Sequence, residues 1–328
     1  MKIAVVGIID GARSGRHLSR ALKKHTAHQV AYANYKGHTR DYARAIVGAD
    51  VIIVAGDALA YVKNGLIYMY AHNCRKIYPK GSKHKVKRNA VLISMPLGCN
   101  YRRKSSGFKA FEIWPLTEYS RNFDMVTPAE PDLNYPDINH GVLPYAIDTD
   151  KVTYGYSPGK KIVVGAYMGG KDSKNVRAYL MPALKQLERE GIDVKLMLGG
   201  LKHMVPHSQY MEQMKRYTVY YGQITPIGVH GRSEVEAIAM GIPTICGITA
   251  EAVSRAGENK EYGAPFIKAY NAKDVADVLR KIHNNELDLK AISKASRSYA
   301  VKWHSYQSVA RQALNIIEQA KARKAKRK

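Results

Sequence analysis

Residues 231–236, Gly-Arg-Ser-Glu-Val-Glu, form a glycine turn that runs straight into a helical pattern ended by Gly241 and Pro243. The start of a helix leaves backbone N–H groups without intrahelical partners. With the helix dipole, those donors can hold a diphosphate. Lys171 and Lys174 follow an earlier apolar run, Lys161 to Gly165. Fixed cations in such a place stabilise a departing group as its negative charge grows; the alternative is that they are ordinary exposed turn residues. Ser233-x-x-Glu236 is also the pattern of a capping box, in which the glutamate folds back on the helix start. Asp57, at the end of another apolar run, is placed to act as a general base or to cap the turn that follows.

Other chemistries lack their residues. The glycines of the segment 7–15 stand four apart, so the segment is not GxGxxG, and it has no GK[ST] for nucleotide phosphates and Mg²⁺. No GxSxG elbow or HExxH pair occurs. The three cysteines, Cys74, Cys99 and Cys246, form neither a CxxC pair nor a zinc-type cluster. That usage fits a reducing cytoplasm (of a host, if the protein is viral). Asp148-Thr149-Asp150 mimics a metal-binding DxD but sits between the two halves of the chain, and no metal is expected. No apolar run is long enough to span a membrane, and residues 1–7 do not form a signal peptide.

Charge is the most unusual property of the 328 residues. Lys and Arg number 52 against 27 Asp and Glu, a formal net charge of +25. Such a surplus points to a polyanionic partner. It is concentrated: from Ala58 to Phe111 there is no acid and there are twelve basic residues, with Tyr61, Tyr68, Tyr70, Tyr78 and Tyr101 interleaved. Lys76, Lys80, Lys83, Lys85, Lys87, Arg88, Arg102, Arg103 and Lys104 are the candidate nucleic-acid contacts, the alternative being a solvated loop.

These residues sit in an alternating framework. Apolar runs at Ile3–Val6, Gln29–Ala33, Val51–Val54, Val91–Ser94 and Met125–Thr127 read as strands, with a helix around Leu18, Ala21 and Leu22. A second alternation starts near residue 161, with a helix over 176–190, a strand at 194–198, a helix over 234–240 and a strand at 244–246. Helices over 275–283 and 306–322 follow, and residues 321–328 read as a frayed basic tail. The expectation is an α/β chain of two Rossmann-like domains facing each other across a cleft. Residues 1–150 would form the first, with the helix at 305–328 packing back on it, and 151–304 the second.

Several segments, in order and spacing, resemble retaining glycosyltransferases of the GT-B fold, specifically family 4, the glycogen-synthase-like and sucrose-synthase-like type. Gly11 to Leu18 resembles the family's glycine turn and first helix, and Phe123 to Glu130 its strand ending in "VS-E". Val142 to Thr149 resembles "V-I-P-N-G-V-D-T", and Lys195 to Gly200 resembles "L-x-I-x-G-x-G". Gly231 to Pro243 resembles "G-x-x-x-x-E-A-M-A-x-G-x-P", and Trp303 to Tyr306 the terminal "F-S-W" box.

The resemblance implies a hexosyl- or pentosyltransferase using a UDP- or GDP-sugar. Gly11, Gly231, Arg232, Ser233 and Glu236 would bind the nucleotide, Glu236 through the ribose hydroxyls. Lys171 and Lys174 would face the departing diphosphate. Two family positions differ. A second glutamate, eight residues before Glu236, is replaced by Gly228, with His230 nearby as a substitute. The basic residue after the first strand of the second half is missing at Ala166. Sugar and stereochemistry therefore stay open, and Asp57 would serve if the enzyme inverts. Given the charge, the favoured acceptor is a hydroxylated base in duplex DNA, as in phage-type DNA base glycosyltransferases. Two alternatives stand beside it: a peripheral enzyme on an anionic membrane, and a non-enzymatic nucleic-acid-binding protein. Residues 76–88, broken by Pro79 and Gly81, lack the apolar face of an interfacial helix, which favours DNA.

Overall fold

The structure, a computed structural model, describes residues 1–8, 13–34, 45–56, 59–63, 66–70, 76–77, 87, 89–96, 123–134, 141–168, 172, 174–200, 205–226 and 228–327. They divide into two compact units. Unit 1 is Met1–Asp148, Arg255–Glu258 and Ser305–Lys328; unit 2 is Thr149–Ser254 and Asn259–His304.

Unit 1 begins β1 (Lys2–Ile8), α1 (Ser14–His25), β2 (Gln29–Asn34) and β3 (Val51–Gly56). Next come β4 (Leu59–Lys63), β5 (Leu66–Tyr70) and β6 (Lys76–Ile77), then β7 (Val91–Pro96) and β8 (Met125–Val126). The main sheet runs β2-β1-β3-β7-β8, with every pair parallel. Strands buried on both faces must be apolar throughout rather than alternating. Ile3 to Val6 and Val51 to Ala55 meet that demand, all buried. β4, β5 and β6 form a separate antiparallel sheet, with Tyr61 opposite Tyr68 and Lys63 opposite Leu66. Part of the basic segment, including Lys63 and Lys76, is therefore strand.

Unit 2 repeats the winding. It contains β9 (Ile162–Met168), α2 (Met181–Arg189), β10 (Val194–Gly200), α3 (His207–Met214) and β11 (Val219–Tyr221). Then follow α4 (Arg232–Ala239), β12 (Thr244–Cys246), α5 (Ala250–Ser254), β13 (Phe266–Lys268), α6 (Ala272–His283) and α7 (Leu289–His304). Its parallel sheet runs β10-β9-β11-β12-β13. β11 shows how the two faces are filled. Val219 and Tyr221 join Val164, Leu187, Ile245 and Leu279 on one side, while Tyr220 joins Tyr210, Met214, Ala237 and Ile242 on the other. In this topology the strand order reverses between β9 and β11, and the crevice for ligands opens beyond their carboxyl ends.

Several helix ends differ from the sequence reading. The segment expected as one helix over 176–190 opens as a π-turn, Val176–Leu180, before α2. Asp172 explains that start: its carboxylate accepts from the N–H groups of Val176 (2.9 Å) and Arg177 (2.8 Å). The last helix, α8 (Tyr306–Lys326), belongs to unit 1 and runs through the segment expected to fray. Its end is tied down, because Lys324 reaches the Asp124 carboxylate at 3.1 Å and Arg327 donates to the Phe123 carbonyl at 3.1 Å. At its start, the Ser305 hydroxyl accepts from Ser308 N–H.

Candidate functional site

In unit 2, Lys174 follows β9, and the glycine turn ending at Gly231 follows β11, so the two lie at the point where strand order reverses. Gly231 caps α4, and the Glu234 carboxylate accepts from its N–H at 3.1 Å. The capping glutamate is thus Glu234. The alternative that Glu236 folds back on Ser233 does not hold, because helical spacing turns Glu236 onto another face.

Glu234 has no exposed surface, and a buried carboxylate needs a partner. Lys174 supplies it: its ammonium bonds Glu234 directly, donates to Ser233 Oγ at 2.7 Å and to Tyr220 Oη at 3.4 Å. Tyr210 Oη donates to the Tyr220 oxygen at 3.1 Å. Burial pushes the Tyr220 phenol well above its ordinary pKa, so it remains a neutral member of this chain. Gly222 makes the room, since a Cβ there would stand 2.7 Å from Glu234 Cγ and 2.8 Å from the Ile245 carbonyl. Lys174 was expected to face a diphosphate; its charge is instead neutralised inside the unit.

Glu236, one turn into α4, is 5% exposed. Both of its bonds converge on one oxygen: Arg232 Nε and His207 Nε2 each stand 3.0 Å from Oε1. Among the described residues Oε2 has no hydrogen-bond partner. Burial opposes the charge, but the His207 hydrogen bond and the Arg232 guanidinium outweigh it and hold the carboxyl below its ordinary pKa. Arg232 Nη1 is also buried without a hydrogen-bond partner. A carboxylate with one fixed and one open oxygen, beside a guanidinium with an idle donor, is arranged to receive a ligand carrying both hydroxyls and anionic oxygens.

His230 departs from expectation. It is 2% exposed, and neither ring nitrogen has a hydrogen-bond partner. Its ring stacks on Tyr262 at 4.7 Å and meets Phe266 at 5.2 Å and His304 at 5.5 Å. Burial lowers its pKa to about 4, so it is neutral at physiological pH. It packs as an aromatic of the unit rather than as an exposed loop residue. Gly228 has φ +69°, and a Cβ there would fall 2.2 Å from Thr249 Oγ1. A side chain at this position would be strained and would collide with Thr249.

Of the other sequence-selected residues, Gly11, Asp57, Lys171, Lys80, Lys83, Lys85, Arg88, Arg102, Arg103 and Lys104 lie outside the described residues. Lys76 is in β6. Lys87 is exposed, with its ammonium 2.8 Å from Asp50. Sequence reasoning missed His207, Glu234, Tyr210 and Tyr220. Glu234 carried a signal, a second glutamate at the third helical position, but His207 is brought to Glu236 only by the fold. Among the described residues no group of three or more His, Cys, Asp or Glu is placed to hold a metal ion.

Comparison with solved structures decides the architecture. Anabaena HepE bound to UDP-glucose superposes with a TM-score of 0.60 at 11% identity, over 96% of this chain and 99% of that one. An alpha-glucosyltransferase in complex with UDP-glucose and DNA containing an abasic site gives 0.59 at 10% identity, over 96% and 99%. The chain has the GT-B fold. TarM of S. aureus gives 0.53 at 14% identity over 81% of this chain, which spans only 54% of the TarM chain. No family model and no curated protein matches the sequence. Within the GT-B fold, the α4 N-terminus, Arg232, His207 and Glu236 all belong to unit 2. Among the described residues no helix is long and apolar enough to cross a membrane.

Proposed function

We propose that this GT-B protein is a glycosyltransferase that moves a sugar from a nucleoside-diphosphate donor to an acceptor hydroxyl. The observation that carries the reading is Glu236, fixed through Oε1 and open at Oε2. Oε2 accepts hydrogen bonds from the nucleotide ribose. The backbone N–H groups of Arg232 and Ser233 at the start of α4 and the Arg232 guanidinium hold the diphosphate, with Lys171 assigned beside them by the family resemblance. In transfer, the acceptor oxygen forms a bond to the anomeric carbon while the bond from that carbon to the diphosphate breaks. The acceptor proton leaves to a base, and the nucleoside diphosphate departs with the electron pair, its charge met by those donors. Solved structures of the same fold bound to UDP or UDP-glucose support a uridine nucleotide. Turnover needs no divalent metal on this reading, because fixed donors take its part.

The acceptor is a hydroxylated base in duplex DNA. The net charge of +25 and the DNA-bound alpha-glucosyltransferase among the neighbours support it. Unit 1, with the acid-free segment 58–111, is the acceptor domain and unit 2 the donor domain. Thermal-shift titration with UDP-, GDP- and ADP-sugars tests the donor. Glu236→Ala is expected to weaken donor binding by about 1–3 kcal/mol through the unpaired ribose hydroxyls. A wild type that no nucleotide sugar stabilises refutes the enzyme and leaves a non-enzymatic binding protein. Transfer of labelled sugar to duplex DNA with hydroxylated bases, against the same duplex without them, tests the acceptor.

A further inference from the structure

Helix α1 carries a second concentration of charge, in the described part of unit 1. From Gly11 to Arg40 the sequence has no Asp or Glu. Arg16, Arg20, Lys23 and Lys24 are all exposed on α1, and the exposed Arg13 precedes it. At 3.6 residues per turn, the four helical cations fall within an arc of about 100°. Leu18, Ala21 and Leu22 point away from them into the unit. With 1.5 Å rise per residue, the row from Arg13 to Lys24 is about 16 Å long, one charge for every ~4 Å.

Like charges at i,i+3 and i,i+4 destabilise a helix by a few tenths of a kcal/mol per pair. α1 carries such a row with no acidic residue of its own to offset it. Lys24, at one end of the row, stands 3.9 Å from the Asp148 carboxylate. Among the described residues Arg20 and Lys23, in the middle, have no acidic partner.

We infer that α1 is a phosphate-tracking surface, and that its partner is the backbone of a nucleic acid. Two features favour that partner over an anionic membrane. The spacing of the row is close to the 3.4 Å axial repeat of phosphates along one DNA strand. The exposed face of α1 also offers nothing to insert into lipid. Among the described residues the exposed large apolar side chains are Val47, Tyr154, Met181, Tyr270 and Val301, none of them on this helix. The surface carries no sequence preference, since phosphate contacts position a protein without reading bases. This assignment rests on reading the acceptor as DNA and adds to it a contact surface on unit 1, whereas Arg232, His207 and Glu236 belong to unit 2.

The test is the triple variant Arg16→Gln, Arg20→Gln, Lys23→Gln, which keeps good helix formers at each position. Binding of wild type and variant to a 20-base-pair duplex is measured from 0.05 to 0.3 M salt, with circular dichroism and UDP-glucose binding as controls. Each lost phosphate contact lowers the slope of log K against log salt by about 0.9, so three lower it by roughly 2 to 3 and weaken binding of order a hundredfold at 0.1 M. UDP-glucose binding is expected to be unchanged. If wild type binds DNA and the variant does so with the same slope, the surface assignment is overturned and the DNA reading stands. If wild type fails to bind DNA while still binding UDP-glucose, the DNA reading itself falls. If wild type prefers vesicles containing phosphatidylserine to DNA, and the variant loses vesicle binding, the row serves a membrane and the nucleic-acid assignment is wrong.

Discussion

Replacing Lys174 with methionine isolates the buried ion pair of unit 2. Methionine keeps the length and apolar stem of lysine but removes the ammonium, so the buried Glu234 carboxyl would lose its cation. Breaking a buried pair from one side costs about 3–5 kcal/mol. Here the loss belongs at the lower end, near 3 kcal/mol, because Glu234 keeps two donors, Gly231 N–H and Ser233 Oγ, each at 3.1 Å. Ser233 and Tyr220 would each lose a contact to the ammonium as well. The double variant Lys174→Met, Glu234→Leu removes both charges and fills the space with apolar atoms. It should recover most of the loss, since replacing an entire buried pair is often neutral or better. Urea unfolding of wild type, single and double variants gives the three free energies. A single variant within about 1 kcal/mol of wild type would show that the ammonium is not the partner Glu234 depends on. A double variant no better than the single would place the cost in packing rather than charge.

His230 predicts a pH dependence. Its folded pKa is lowered to about 4, so the unfolded chain binds a proton that the folded one refuses. Stability is lost as pH falls from about 6.5, and by pH 5 the loss is about 2 kcal/mol from this residue. His230→Phe should retain the stack and flatten that part of the urea-midpoint profile; an unchanged profile contradicts it. Glu236 acts at lower pH. Its depressed pKa contributes stability that is present above the ordinary glutamate value near 4.3 and lost as pH falls below it through the folded value, a loss Glu236→Gln should not show. Gly228→Glu, which introduces the glutamate of the family the sequence resembles, should destabilise by more than about 2 kcal/mol in thermal unfolding and yield no gain in transfer activity. Transfer activity should survive EDTA; its loss, with rescue by Mg²⁺ or Mn²⁺, would overturn the metal-free mechanism.

The parallel sheets were legible because a doubly buried strand leaves no ambiguity: Ile3–Val6 and Val51–Val54 are apolar at every position. The α4 turn was legible from Gly231 and the run up to Pro243. The antiparallel sheet was missed although Asn64-Gly65, the commonest two-residue hairpin dipeptide, stands between β4 and β5. The density of lysine and tyrosine around it drew the reading towards charge. The π-turn at Val176 depends on the Asp172 side chain, which competes with the backbone locally and leaves no periodic trace. The exchange of roles between Glu234 and Glu236 rests on which face each turns to, and that is fixed by Lys174 and His207 from distant parts of the chain. The burial of His230 is likewise tertiary, since three of its aromatic neighbours come from beyond residue 260.

Unit 1 is assembled mainly from two segments, 1–148 and 305–328, with nearly all of unit 2 synthesised between them. α8 packs against α1 and β7, Tyr306 Oη lies 2.7 Å from His17 Nδ1, and Ser305 bridges to Ile147. A ribosome therefore delivers the first sheet long before the helix that covers it. Domains usually fold in the order of their synthesis. Here the order is inverted: unit 2, complete by residue 304, can close its own core while β1, β3 and β7 wait with one side uncovered. During that interval the apolar side of α1 lacks its neighbour, and aggregation has its widest opening then. Any truncation before residue 305 would make that interval permanent.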